Sequence, residues 1–125
     1  YTTALPPSVS ACVLAGLDLL DEEPERRERL WTNVHYLRKG LNQLGFDTMK
    51  SQAHIIPVLI GEPKITMEMD RRLLESGVFV QGIRPPTVPE GKCRLRVTVM
   101  ATHTREDIDF ALEQFKKVGK KLGLI

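Results

Sequence analysis

The sequence predicts an α/β fold, more narrowly an α+β two-layer sandwich, with helices on one face of a mostly antiparallel sheet. Three observations lead there. Apolar residues alternate between helical and strand spacing in the order helix, helix, strand, strand, helix, strand, strand, helix. The chain's 125 residues and 14.1 kDa fit one domain, with no room for a repeat or a low-complexity linker. The stretch from Cys93 to Met100 carries arginine on one strand face and Leu95 and Val97 on the other, so helices have one apolar face to cover. The opposite face is left to dock on something larger or to line a cleft.

Each element follows from local chemistry. Pro6 and Pro7 suit a first helix running to about Leu20, because the first turn needs no partner for its N–H groups. Asp18 is the only charge between Ser10 and Leu20, so this helix is apolar nearly all round and asks for burial on more than one side. Val9, Val13, Leu17 and Leu20 forming an ordinary core face is an equal alternative. Residues 1–22 are expected to act as a linker or interface helix and 23–125 as the α/β domain. Pro24 and its acidic neighbours begin a second helix, in which Leu30, Val34, Leu37, Leu41 and Leu44 recur at helical spacing until Gly45.

Phe46 to Met49 is a candidate short strand. HIIPVLIG is a clearer one, and its Pro57 demands an edge or a bulge because proline cannot donate to a ladder. A third helix spans about Thr66 to Glu75, Gly77 stops it, and Val78 to Ile83 and Cys93 to Met100 read as strands. Thr104 with Asp107 has the spacing of a capping box, with Asp in place of the usual Glu, before a last helix that ends near Leu122. Ile65 and Ile108 mark the helices expected to cover the sheet.

Composition narrows the functional classes. A net charge of +2 and a pI near 8.7 are mildly basic, and the arginines are interleaved with glutamates, so no nucleic-acid stripe is present. No stretch is long enough to span a bilayer, and the N-terminal residues lack the order of a signal peptide. Cys12 and Cys93 offer neither a disulfide framework nor a metal-ligand spacing, which fits a reducing cytoplasm, and neither has a paired histidine to make it reactive. His35, His54 and His103 fall on different elements without metal-site spacing. The chain has no initiator Met and opens on an apolar run, so it is expected to be a piece of a larger protein.

The segment from Gly82 to Thr104, GIRPPTVPEGKCRLRVTVMATHT, holds the candidate chemistry. Pro85 and Pro86 stiffen a loop beside a strand that presents Arg94 and Arg96 on one face. An arginine fork matches a carboxylate bidentately, and a strand aims it better than a loop. Read from residue type alone, Arg96 would be a solvated partner of a nearby glutamate. Arg84, held by its prolines, is equally a carboxylate or phosphate contact and a residue that pins its own turn.

IRPPTVPEG, RLRVT and ATHT, with YTTALPP, EPERRERLWTNVHYLRKGL and HIIPVLIG in the same order, resemble the C-terminal part of the α-oxoamine synthases, a family of pyridoxal-phosphate (PLP) acyltransferases. The resemblance covers essentially the whole chain. It implies the small C-terminal domain of a fold-type I PLP enzyme, with PLP in the full-length protein, amino-acid and acyl-coenzyme A substrates, a large PLP domain in the same parent chain, and a homodimer. It implies that Arg96 holds the substrate carboxylate, that Thr87 and Val88 lie near the acyl portion, and that Thr2 and Thr3 approach the cofactor phosphate of the neighbouring subunit. Arg94 is expected to form a structural salt bridge.

No segment resembles the family's Schiff-base lysine motif, and Lys39, Lys50, Lys64, Lys92 and the Lys116 to Lys121 cluster fall on expected helix faces or turns. The isolated chain is therefore expected to be inactive. Two other readings stay open: a stand-alone module that binds a small carboxylate without chemistry, and a dimerisation domain using the first helix.

Overall fold

The structure, a computed structural model, describes residues 3–125. Its elements are α1 (Pro7–Glu22), α2 (Glu25–Gln43), β1 (Ile55–Gly61), α3 (Pro63–Glu75), β2 (Gln81–Ile83), β3 (Cys93–Thr98) and α4 (Arg105–Lys121). The strands form one antiparallel sheet in the order β1-β3-β2, which puts β3 in the centre. The two-layer arrangement expected from the sequence is the one observed.

Alternation along β3 sorts its side chains. Cys93, Leu95 and Val97 are buried, while Arg94 is half-buried and Arg96 and Thr98 are exposed. Ile56 and Val58 of β1 lie opposite Val97 and Leu95 and join the same apolar face. Against it pack Val34, Leu37 and Leu41 of α2, Met69 and Leu73 of α3, and Ile108, Phe115 and Val118 of α4. Phe46 meets Phe115 edge-on, with ring centroids 5.8 Å apart. Pro57 satisfies both options open to it, since β1 is an edge strand and its register shifts between Leu59 and Gly61.

Helix ends follow the sequence closely. At Gly45 (φ 101°) and Gly77 (φ 89°) the backbone turns left-handed, where a side chain would be strained. The chain then returns hydrogen bonds from Phe46 N to Leu41 O and from Val78 N to Leu73 O, satisfying carbonyls that α2 and α3 leave open. The capping box at α4 is formed in both directions: Asp107 N donates to Thr104 Oγ1 (3.2 Å) and Thr104 N to Asp107 Oδ2 (2.8 Å).

Several expectations are corrected. Phe46–Met49 is not a strand: Phe46 and Thr48 are drawn into the interior, Met49 and Lys50 adopt left-handed φ of 56° and 53°, and one bond from Leu59 N to Asp47 O ties the segment to β1. The strand expected from Val78 pairs only from Gln81, because the turn at Gly77 leads Val78 to Val80 away from β3. Pairing of β3 ends at Thr98 and not Met100, and α3 starts at Pro63, three residues before Thr66. The core-face reading of α1 fails outright. None of its residues is buried, and Val13, Leu14 and Leu17 are each more than half exposed.

Candidate functional site

Arg96 stands at the middle of the sheet's open face. Its Cα lies opposite Pro57 on β1 and Gln81 on β2, so the backbone beneath it is paired on both sides. Gln81 Oε1 accepts a hydrogen bond from Arg96 Nη2. Among the described residues Arg96 has no acidic partner, so the glutamate pairing suggested by residue type does not form. Arg94, on the same face two residues earlier, is not in the expected salt bridge either; its Nη1 rests 3.5 Å from Met49 Sδ.

Beyond the Gln81–Arg96 pair the two strands splay apart, and a cleft of about 510 Å³ opens against α4. Phe79, Val80, Thr98, Met100, Ile108 and Phe110 form its mostly apolar walls, with Arg96, Gln81, His103 and Asp107 supplying polar groups. Phe79 is 81% exposed, an unusual position for a phenyl ring.

The turn after β3, one wall of the cleft, is held from several directions. Asn33 on α2 donates from Nδ2 to Met100 O (3.1 Å) and to His103 O (2.9 Å), and Met100 N donates to His103 Nδ1 (3.3 Å). His103 thus combines a structural bond with a place in the cleft wall. Asp107 sits just inside α4, and hydrogen bonds from the Thr104 backbone and side chain hold its carboxyl below the usual range. Further out, Tyr36 donates to Asp109 Oδ1 (2.5 Å), which pushes the phenol up, and the Arg105 guanidinium lies 3.0 Å from the Tyr36 ring centroid. These contacts tie α2 to the start of α4.

The other candidate residues are not gathered at this cleft. Arg84 and Thr87 are exposed in the loop after β2, where Thr87 N bonds to Arg84 O at 3.1 Å. Arg84 is three residues from Gln81, roughly 10 Å along an extended strand. Val88 is buried. Thr3 is exposed ahead of α1, and Thr2 lies outside the described residues. Among the described residues no cluster of histidine, cysteine and acidic side chains could hold a metal, and no helix is long and apolar enough to cross a membrane.

Asn33 and Gln81 are the site residues that sequence reasoning missed. Asn33 reaches acceptors 67 and 70 positions away, which no local pattern announces. The position of Gln81 in a strand was legible, but its pairing with Arg96 depends on register.

A profile of the aminotransferase class I and II family matches residues 1–115. An 8-amino-7-oxononanoate synthase of Symbiobacterium thermophilum is 50% identical over all of this chain and 32% of that protein. An 8-amino-7-oxononanoate synthase/2-amino-3-ketobutyrate coenzyme A ligase of Thermus thermophilus is 51% identical over the same shares. A solved serine palmitoyltransferase with PLP superposes with a TM-score of 0.94 at 35% identity, covering 100% of this chain and 32% of that one. The chain spans about a third of the length of the curated relatives it matches. With the family profile matching from the first residue to within α4, and a solved relative superposing over the whole chain, this chain belongs to the aminotransferase class I and II family.

Proposed function

We propose that this chain is the C-terminal domain of a PLP-dependent α-oxoamine synthase, joining an amino acid to an acyl-coenzyme A, and that Arg96 receives the amino-acid carboxylate. The observation that carries this reading is an arginine on the central strand with no acidic partner among the described residues, presented at the mouth of a cleft. An unneutralised guanidinium on a rigid support is what orientation of a carboxylate requires.

The described residues fit PLP on the substrate side only. Lys39, Lys50, Lys64, Lys92, Lys116, Lys117, Lys120 and Lys121 are all exposed, and none lines the cleft. On this reading the amine that would bind the cofactor lies elsewhere in the parent protein, of which the chain spans about a third of a relative's length, and the 125-residue piece is expected to be inactive by itself. When bound, PLP supplies an electron sink for the amino-acid carbanion. Arg96 holds the carboxylate in one orientation, so that the same α-bond is always presented for cleavage. Arg84 and Thr87 would form a wall for the acyl-coenzyme A, and the hydroxyls of Thr2 and Thr3 would hold the cofactor phosphate across a homodimer interface.

The wording RLRVTVMATHT and the two relatives at 50% and 51% identity support the 8-amino-7-oxononanoate synthase type, a step of biotin synthesis, with the glycine C-acetyltransferase type second. A cytoplasmic location accords with two free cysteines, one of them exposed. The test is Arg96→Ala in the full-length enzyme. Losing a charge-assisted pair predicts a roughly 10- to 100-fold rise in amino-acid KM with the acyl-coenzyme A KM little changed. An unchanged amino-acid KM rejects the assignment.

A second reading, a carboxylate-binding or dimerisation module without catalysis, draws on α1, whose apolar side chains are unburied and would pair well with a second copy. Sedimentation of the natural gene product, with its intact mass, separates the two: a small dimer without a cofactor domain favours the module.

A further inference from the structure

We propose that Gln81 is a positioning residue for Arg96, with its neutral side-chain carbonyl holding one arm of the guanidinium and leaving the remaining donors and the full charge for a carboxylate. The inference rests on the reading of Arg96 given above and adds the residue that aims it.

Gln81 and Arg96 are direct cross-strand partners in a ladder continued by Gly82 opposite Leu95 and Ile83 opposite Arg94. Directly opposed side chains share a sheet face, so contact between Gln81 Oε1 and Arg96 Nη2 follows from register. The position of β2 is secured from its far edge. Gly82 N donates to Asp70 Oδ2 on α3 at 3.0 Å, and a Cβ at Gly82 would stand 3.0 Å from Met67 Sδ, so strand and helix are in close contact. Gln81 is therefore a side chain on a seated strand reaching an otherwise unrestrained arginine.

The chemistry of the partner matters as much as its place. Arginine carries five N–H donors, and a free side chain would spread them over many rotamers. An amide oxygen engages one donor without adding charge. A carboxylate at the same point would engage it as well and neutralise the guanidinium, competing with the substrate. Gln81 is thus suited to restrict the arginine while preserving its affinity for an anion.

The test compares Gln81→Ala and Gln81→Glu with Arg96→Ala in the full-length enzyme, measuring KM for each substrate, kcat and the melting temperature. Gln81→Ala is expected to raise the amino-acid KM about 3- to 10-fold, the loss of one hydrogen bond's positioning. Gln81→Glu is expected to raise it further, toward the Arg96→Ala value. Acyl-coenzyme A KM should stay within about twofold, and melting should change little because residue 81 is exposed on an edge strand. A merely structural role would not make the nearly isosteric glutamate worse than alanine. Wild-type amino-acid KM in both Gln81 variants beside a raised KM in Arg96→Ala overturns the inference alone, as does Gln81→Glu matching or outperforming Gln81→Ala. An unchanged KM in Arg96→Ala overturns the reading of Arg96 itself, and this inference with it.

Discussion

Replacing Asn33 with alanine removes both donors that hold the turn after β3 and leaves Met100 O and His103 O to find water. The two bonds differ in worth. The one to Met100 O (3.1 Å) is exposed, so water replaces it at about 0.5 kcal/mol, whereas the one to His103 O (2.9 Å) is partly buried and is worth about 1 to 1.5 kcal/mol. Their sum, about 1.5 to 2 kcal/mol, corresponds to a fall in melting temperature of roughly 5 to 8 °C for a domain of this size. Urea unfolding of the variant should show a lower midpoint with an unchanged m-value, since the folded surface is the same. Asn33→Asp should be worse than alanine, because it keeps the shape while directing a charged acceptor at two carbonyl oxygens. A loss below about 0.5 kcal/mol for Asn33→Ala, or an aspartate as stable as asparagine, would refute the clamp.

Thr104→Ala should cost about 1 kcal/mol by opening the capping box, while Thr104→Ser should cost little, as read by chemical denaturation. Gly119→Ala in α4 would place its Cβ 2.7 Å from Phe46 Cζ, a ring already lodged against Phe115; overpacking of about 1 to 3 kcal/mol should outweigh a helix-propensity gain of about 1 kcal/mol and lower the midpoint. Glu68 accepts hydrogen bonds from Arg71 and Arg72, which bring its carboxyl from the usual 4.5 down to about 2. Because the folded-state value is depressed, its contribution is complete above pH 4.5 and is lost as pH falls toward 2, and carbon-detected NMR titration of Glu68 should show the low midpoint. Glu68→Gln should flatten that part of the acid-unfolding curve, and a midpoint near 4.5 in the wild type would contradict the pairing.

Local chemistry made much of this fold legible. The spacing of Val34, Leu37 and Leu41, the left-handed glycines at 45 and 77, the Thr104–Asp107 box and the ambiguous Pro57 all act within a turn or two of chain. Arg94 and Arg96 sharing a face opposite Leu95 and Val97 follows from strand periodicity alone. What could not be read is what register and tertiary packing decide. Phe46 and Thr48 alternate as a strand would, but their burial is against α4 and the end of α2, and the neighbouring Met49 and Lys50 break the extended run. The partner of Arg96 depends on which β2 residue arrives opposite it, and the clamp on the following turn comes from a helix some 70 positions earlier. The sequence resemblance singled out Arg96, whereas its immediate surroundings required coordinates.

The placement of β3 between two partners gives Arg96 and Arg84 different lifetimes of order. For the Arg96 segment to open, the chain must break pairing to both β1 and β2 and expose Leu95 and Val97, so its amide protons should exchange with solvent only through unfolding of the whole domain. Arg84 is exposed one residue past the end of an edge strand, so its neighbourhood should exchange by smaller openings than the Arg96 segment, with the flanking prolines and the buried Val88 limiting how far the loop moves. On the proposed reading, a substrate meeting both would find one contact held for as long as the domain is folded and another that opens more readily.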